Sequence, residues 1–298
     1  RVLEAAVKLS ATNYVQPVLV GKRERVEEIA QPLFLNVSGI EFVDHENYEK
    51  YDEMVAKFVE RRAGKVTEEK ARELLQDVNY FGTMLVYMGE VEGLVSGAIH
   101  STGDTVRPAL QIIKTKPGVS RTSGAFIMSR NASRFIFADC AINTTIDAQG
   151  LAEIAVESAK TAKAFNINPK VAMLSFSTYG SAKTEETLKV AEATKLVREK
   201  APTLPVGGEM QFDAAYVPPV AKLKAPNSEI QGDANVFIFP SLEAGNIGYK
   251  IAERLGGFEA VGPILQGLNA PVNDLSRGCS SIDVLKLALI TAVQALEK

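Results

Sequence analysis

The chain has 298 residues, 46% of them hydrophobic and 23% charged, with a net charge of -3. A chain this long folds as one large or two ordinary domains, because single cores stop growing near roughly 250–300 residues, and its apolar content excludes wholesale disorder. The faintly acidic balance gives no global attraction to nucleic acid or an anionic membrane, and no apolar run approaches the roughly 20 residues of a membrane span.

In chain order, RVLEAAVKLS (1–10) reads as a helix without the strand that a parallel sheet would place before it, so a preceding strand is expected to be missing. QPVLVG (16–21) reads as a strand, 23–30 as a helix and LFLNVS (33–38) as a strand. The segment 67–89 reads as one long helix, with Leu74, Val78, Phe81 and Leu85 in a stripe for packing on a sheet. GLVSGAI (93–99) is the next strand, followed by the turn HSTGDTVRP and the apolar helix ALQII. The turn residues of TKPGVSRTSG (115–124) mark a passage between lobes. Strands RFIFADCAI (134–142), KVAMLSF (170–176) and ANVFIF (234–239) then alternate with helices 148–165, 183–200 and 244–257. The run LKLALITAVQAL, apolar almost all round, closes the chain as a buried helix, against its own protein or at a subunit contact. This alternation predicts an α/β fold of mostly parallel sheets with crossover helices, in two lobes with a cleft.

No signal peptide is expected, and two cysteines, Cys140 and Cys279, make no disulfide framework; both fit a reducing compartment, so a cytoplasmic location is expected. Two histidines, His45 and His100, leave zinc ligation and a His-based triad short of material. Any chemistry then runs on Ser, Asp, Arg and Asn. In open α/β sheets ligands bind beyond the carboxyl ends of strands. There, HSTGDTVRP carries Arg107, STYGSAK (177–183) could be a turn or an amide cradle, and PSLEAGN offers Gly245 and Asn246 as a cap or a cleft lining. Arg61 and Arg62 fall at the end of a helical stretch, where the macrodipole alone explains them. Glu209 and Asp213 are four apart and would share a helix face, a weak hint of paired acid and base.

The densest stretch is PVNDLSRGCSSIDV (271–284). Ser280 and Asp283 have capping-box spacing. Asn273, Asp274, Ser276 and Arg277 exceed what a cap requires, and an arginine beside a helix N-terminus is unfavourable unless an anion lies between them. The combination reads as an oxyanion or phosphate site.

At these residues the chain resembles the phosphate acetyltransferases of the phosphate acetyl/butyryltransferase family. The resemblance spans nearly the whole chain and rests on VSGAIHSTGDTVRPALQIIKT, KVAMLSFSTYGSAK, the DAA of 213–215, KAPNSEIQGDANVFIFPSLEAGNIGYKIAERL and PVNDLSRGCSSID. It implies two α/β lobes, 1–117 plus 271–298 and 118–270, an interdomain cleft, a fold like that of isocitrate and isopropylmalate dehydrogenases, and a homodimer. It implies exchange of an acetyl group between acetyl phosphate and coenzyme A, with coenzyme A a substrate and no cofactor or metal. Ser276, Arg277 and Asp283 match the family's catalytic residues, Arg107 a substrate-binding arginine, and Arg61 a further one, although Arg62 is adjacent. Small-molecule substrates are the expected partners, with neither nucleic acid nor membrane. Butyryl transfer, or a non-catalytic acetyl-CoA or acetyl-phosphate sensing domain, are the alternatives.

The implied reaction needs a thiolate, an oxyanion stabiliser and a phosphate clamp. These fall to Asp283, to Ser276 with Arg277, and to Arg277 with Arg107. A carboxylate bonded to first-turn amides is stabilised as the anion, whereas a base must take the proton of a thiol whose ordinary pKa is about 8.5. Two demands therefore meet on Asp283. An acetyl-enzyme on Cys279 is the rival mechanism.

Overall fold

The computed structural model describes residues 1–296, and the chain divides into two compact units, Arg1–Lys114 together with the segment from Leu268, and Thr115–Gly267. Elements of the first unit are α1 (Val2–Ser10), β1 (Val18–Val20), α2 (Arg23–Ala30), β2 (Glu41–Val43), α3 (Tyr51–Arg62), α4 (Glu68–Leu74), α5 (Val78–Met88), β3 (Leu94–Ser96) and α6 (Thr102–Pro108). A π-helical turn, Ala109–Ile113, prolongs α6. The second unit holds β4 (Ser123–Arg130), β5 (Ser133–Ala138), α7 (Ala148–Ala164), β6 (Val171–Leu174), α8 (Glu185–Lys200), β7 (Val206–Met210), α9 (Phe212–Tyr216), α10 (Pro218–Lys224), β8 (Val236–Ile238), α11 (Leu242–Arg254) and β9 (Glu259–Gln266). The chain then returns to the first unit as β10 (Val272–Asp274) and α12 (Ser281–Leu296).

In the second unit one six-stranded sheet runs β7-β6-β8-β5-β4-β9. Its first four strands are parallel, β4 pairs antiparallel with β5, and β9 pairs antiparallel with β4 at the edge. Helices α7 and α8 cover one face over a core that includes Leu151, Ile154, Val190 and Val197. Ala214 and Ala215 of α9 and Tyr249 and Ala252 of α11 pack on the other. Both faces are thus covered, as parallel strands require.

Among the described residues the first unit has no large sheet but two parallel pairs, β1 with β2 and β3 with β10. Its largest buried side chains include Phe58, Phe81, Met54, Leu75, Met84 and Ile112. The expected strand LFLNVS is absent: a 3-10 turn at Gln31–Leu33 and a left-handed Phe34 break it, and β2 forms later. The expected single helix 67–89 is two, because the Asp77 side chain caps a new start, accepting from the amides of Asn79 and Tyr80 at 2.8 and 3.2 Å. Of the predicted stripe, Phe81 and Leu85 are buried. Helix α12 buries only one side, with Val284, Leu287, Ile290 and Thr291 inside.

Candidate active site

Strands β3 and β10 lie side by side, with Leu94, Val95 and Ser96 opposite Val272, Asn273 and Asp274. Being parallel, they end together, and each leads into a helix with the same cap. Ser101 and Asp104 form a capping box at the start of α6, with 3.0 and 2.7 Å bonds from the Ser101 amide and hydroxyl to the Asp104 carboxylate. At α12 the Asp283 Oδ2 accepts from the Ser280 amide and hydroxyl at 2.8 and 2.9 Å, and the Asp283 amide donates to Ser280 Oγ at 3.2 Å. Two capped N-termini at the carboxyl ends of adjacent parallel strands form the arrangement that favours bound oxyanions.

The polar residues of 271–284 separate into a buried base and an exposed turn. Asn273, fully buried, donates to Thr291 Oγ1 and Gln294 Oε1 at 2.8 and 2.7 Å, which fastens β10 to α12. Asp274 is 1% exposed, and its Oδ1 has no hydrogen-bond partner. Burial pushes its carboxyl above the usual range; Thr102 and Thr105 oppose this, as does His100, while Asp104 adds to it. The site admits no bulk here: a Cβ on Gly97, at φ +104°, would stand 2.3 Å from Asp274 Oδ1. Ser276, Arg277 and Gly278 are exposed above that base. The Gly278 amide donates to Ser276 Oγ at 3.2 Å, and the Cys279 amide to Ser276 O at 2.9 Å. Cys279 is buried, and burial pushes its thiol up, with the Arg1 guanidinium pulling the other way.

Arg107 is exposed in the last turn of α6. Arg61 at the end of α3 donates to the carbonyls of Ile112 and Ile113 at 2.6 and 3.0 Å and lies 5.1 Å over the Tyr87 ring. Arg62 donates to Gln111 O at 3.3 Å. Both arginines therefore clasp the π-helical turn that follows Arg107. Lys114 at its end is pulled below the usual lysine range, chiefly by Arg61, then by burial, Arg62 and Lys65. A cluster of four cations results.

The other sequence candidates resolve as structure. Glu209 lies in β7 and Asp213 in α9, so they share no helix face. Glu209 is buried and accepts from Ser177 Oγ and the Gly180 amide at 3.0 and 2.6 Å, so a carboxylate of the protein itself engages the STYGSAK loop. Asp213 pairs with Lys224 at 2.9 Å. Asn246 donates to Cys140 O at 3.0 Å, and Gly245 lets α11 approach Asp139. Burial holds the Cys140 thiol well above its ordinary pKa.

The second unit holds a cavity of about 510 Å³ at the carboxyl ends of β5, β6 and β8, lined by residues including Thr145, Ser175, Phe176, Lys189 and Ser241. The chain leaves β6 for the α8 face and β8 for the α11 face, so the cavity lies at a topological switch point. Among the described residues no group of three or more His, Cys, Asp or Glu could hold a metal ion, and no helix is long and apolar enough to cross a membrane.

The chain is a mixed α/β protein with a capped turn after each of two adjacent parallel strands, and its sequence places it in a family of acyltransferases. The phosphate acetyl/butaryl transferase family model matches residues 1–292, and the chain belongs to that family. It is 64% identical over 296 residues to the phosphate acetyltransferase of Bacillus subtilis, covering 99% of this chain and 92% of that one. The crystal structure of a phosphotransacetylase from Streptococcus pyogenes is 56% identical and superposes with a TM-score of 0.96 over 100% of this chain and 91% of that one. At 15% identity and a TM-score of 0.56, a structure described as a 4-hydroxythreonine-4-phosphate dehydrogenase from Salmonella typhimurium shares the fold alone, over 97% of this chain and 95% of that one.

Proposed function

We propose that this enzyme transfers an acetyl group between acetyl phosphate and the thiol of coenzyme A, in either direction, by direct thiolate attack in a ternary complex. The observation that carries the reading is the exposed Ser276–Arg277 turn, held on a buried base at the mouth of a capped helix beside the capped helix that bears Arg107.

In this mechanism Arg277 and Arg107 hold the phosphoryl group, and Arg277 with Ser276 Oγ stabilises the charge that develops on the acyl oxygen. Asp283 takes the thiol proton. Arg61 serves a phosphate of coenzyme A or of the acyl phosphate through the positive field it shares with Arg62, Lys65 and Lys114. Bonded to the π-helical turn, it also sets where Arg107 sits. Cys279 is set apart from this chemistry, since a buried thiol with a raised pKa is a poor nucleophile at neutral pH.

In this reading the enzyme serves acetate metabolism in the cytoplasm and acts as a homodimer. The row of Ile247 and Ile251 on α11 and Leu255 at its C-cap, exposed by 57, 53 and 86%, is apolar surface that a second copy would cover. The test is phosphate-dependent loss of acetyl-CoA by the purified chain with a chelator present. Turnover is expected; a folded, inactive chain would indicate a sensing domain instead.

A further inference from the structure

We propose that Arg1 is a positioning residue for the candidate site, acting through the peptide groups of the Ser276–Ser280 turn. This rests on the roles given above to Ser276 and Asp283. The Arg1 Nη1 donates to the carbonyls of Arg277 and Cys279 at 2.9 and 2.7 Å and lies 3.6 Å from Cys279 Sγ, and Nη2 donates to Ala98 O at 3.1 Å. One guanidinium thus ties the turn after β10 to the turn after β3, which leads into the helix of Arg107.

Neither of the two carbonyls on the β10 side belongs to a cis peptide. In a trans peptide the C=O and N–H point to opposite sides, so fixing one aims the other. The N–H partnered with the Arg277 carbonyl is that of Gly278, which donates to Ser276 Oγ at 3.2 Å. The N–H partnered with the Cys279 carbonyl is that of Ser280, which donates to Asp283 Oδ2 at 2.8 Å. Arg1 therefore holds, from behind, the two peptide planes whose front edges orient the serine and the carboxylate. A planar fork can serve three carbonyls on two loops, whereas a lysine ammonium offers one point charge on a flexible stem.

The test uses the full chain with Arg1→Ala and Arg1→Lys, measuring kcat and KM with acetyl phosphate and coenzyme A, and amide exchange across residues 276–283. Arg1→Ala is expected to lower kcat by about tenfold to a hundredfold, as small misplacements of reacting groups do. Exchange at Gly278 and Ser280 is expected to quicken about tenfold or more, while amides from Val284 onward keep their protection, because freeing two carbonyls unlocks only their own peptides. Millimolar methylguanidine is expected to restore much of the lost kcat in Arg1→Ala, and Arg1→Lys to recover little. Wild-type kcat and exchange in Arg1→Ala would overturn the proposal, as would faster exchange throughout α1 and α12, the mark of a purely structural anchor. Should the unaltered chain lack acetyl transfer, the functional reading fails, while the exchange measurement still decides whether Arg1 orders this turn.

Discussion

Replacing Asp283 with Asn separates its role in the helix cap from its role in chemistry. The carboxylate accepts two hydrogen bonds from Ser280, at 2.8 and 2.9 Å, and its own amide donates to Ser280 Oγ. The Asn side-chain oxygen can accept the same bonds, so the loss is confined to their charge-assisted part and to the dipole interaction. On a partly exposed helix start that comes to about 1 kcal/mol, or a fall in melting temperature of about 2–4 °C for a domain of 150–250 residues. Loss of a positioned base costs roughly 10² to 10⁴ in rate, which is about 2.7–5.5 kcal/mol on the barrier. The two effects differ enough to be told apart. Steady-state rates of thioester formation, with thermal denaturation of the same preparation, are expected to show a collapse in kcat, little change in either KM and a nearly normal melting temperature. Asp283→Ala removes the cap as well and is expected to melt lower still. Near-normal turnover in Asp283→Asn would refute the base assignment and leave Asp283 as a cap alone.

Cys279→Ala is expected to keep most of the activity, because a buried thiol with a raised pKa is a poor nucleophile; an inactive but folded variant would favour an acetyl-enzyme. Arg107→Lys keeps the charge but loses the fork, and since a hydrogen bond to a charged group is worth about 1.5–3 kcal/mol, KM for at least one substrate should rise about tenfold or more. Unchanged kinetics would remove Arg107 from the site. For Asp274, whose folded carboxyl titrates above its unfolded one, the native state binds more protons between those two values. Stability is then fully present below the unfolded value, about 3.9, and falls as pH rises through the raised folded one. Asp274→Asn, a neutral isostere, should lessen that fall in melting temperature; an identical pH profile in both proteins would contradict the buried, proton-holding acid.

Much of the second unit could be read from pattern. Its parallel strands β5, β6 and β8 are rich in Val, Ile, Leu, Met and Phe, and α7 and α8 carry clear N-terminal caps at Asp147 and Thr184. The edge strands were harder. In β7 the sequence VGGEM is rich in glycine, and β9 contains Pro263, a residue tolerated at a sheet edge and a poor strand signal. Strand β10 is three residues long with Asn and Asp in it, so only its pairing with β3 defines it. The break within 67–89 did carry a signal, since Asp77 before Val78 is a ready N-cap, but continuous helical periodicity outweighed it.

At the candidate site, Ser276, Arg277 and Asp283 stood out because they exceeded what a cap requires. In the sequence Asp274 reads only as surplus polarity; its burial against Gly97 follows from the packing of two loops and not from local pattern. Arg1 gave no signal at all, because its partner carbonyls lie 276 and 278 positions away. Arg61 and Arg62 read correctly as helix-terminal cations, but the π-helical turn they hold is set by tertiary contact.

Initial velocities of acetyl-CoA formation, with acetyl phosphate and coenzyme A both varied, test the central claim most directly. Direct attack in a ternary complex predicts intersecting double-reciprocal lines that persist in Cys279→Ala and vanish with activity in Arg277→Ala. Parallel lines, or full activity without Arg277, would contradict it.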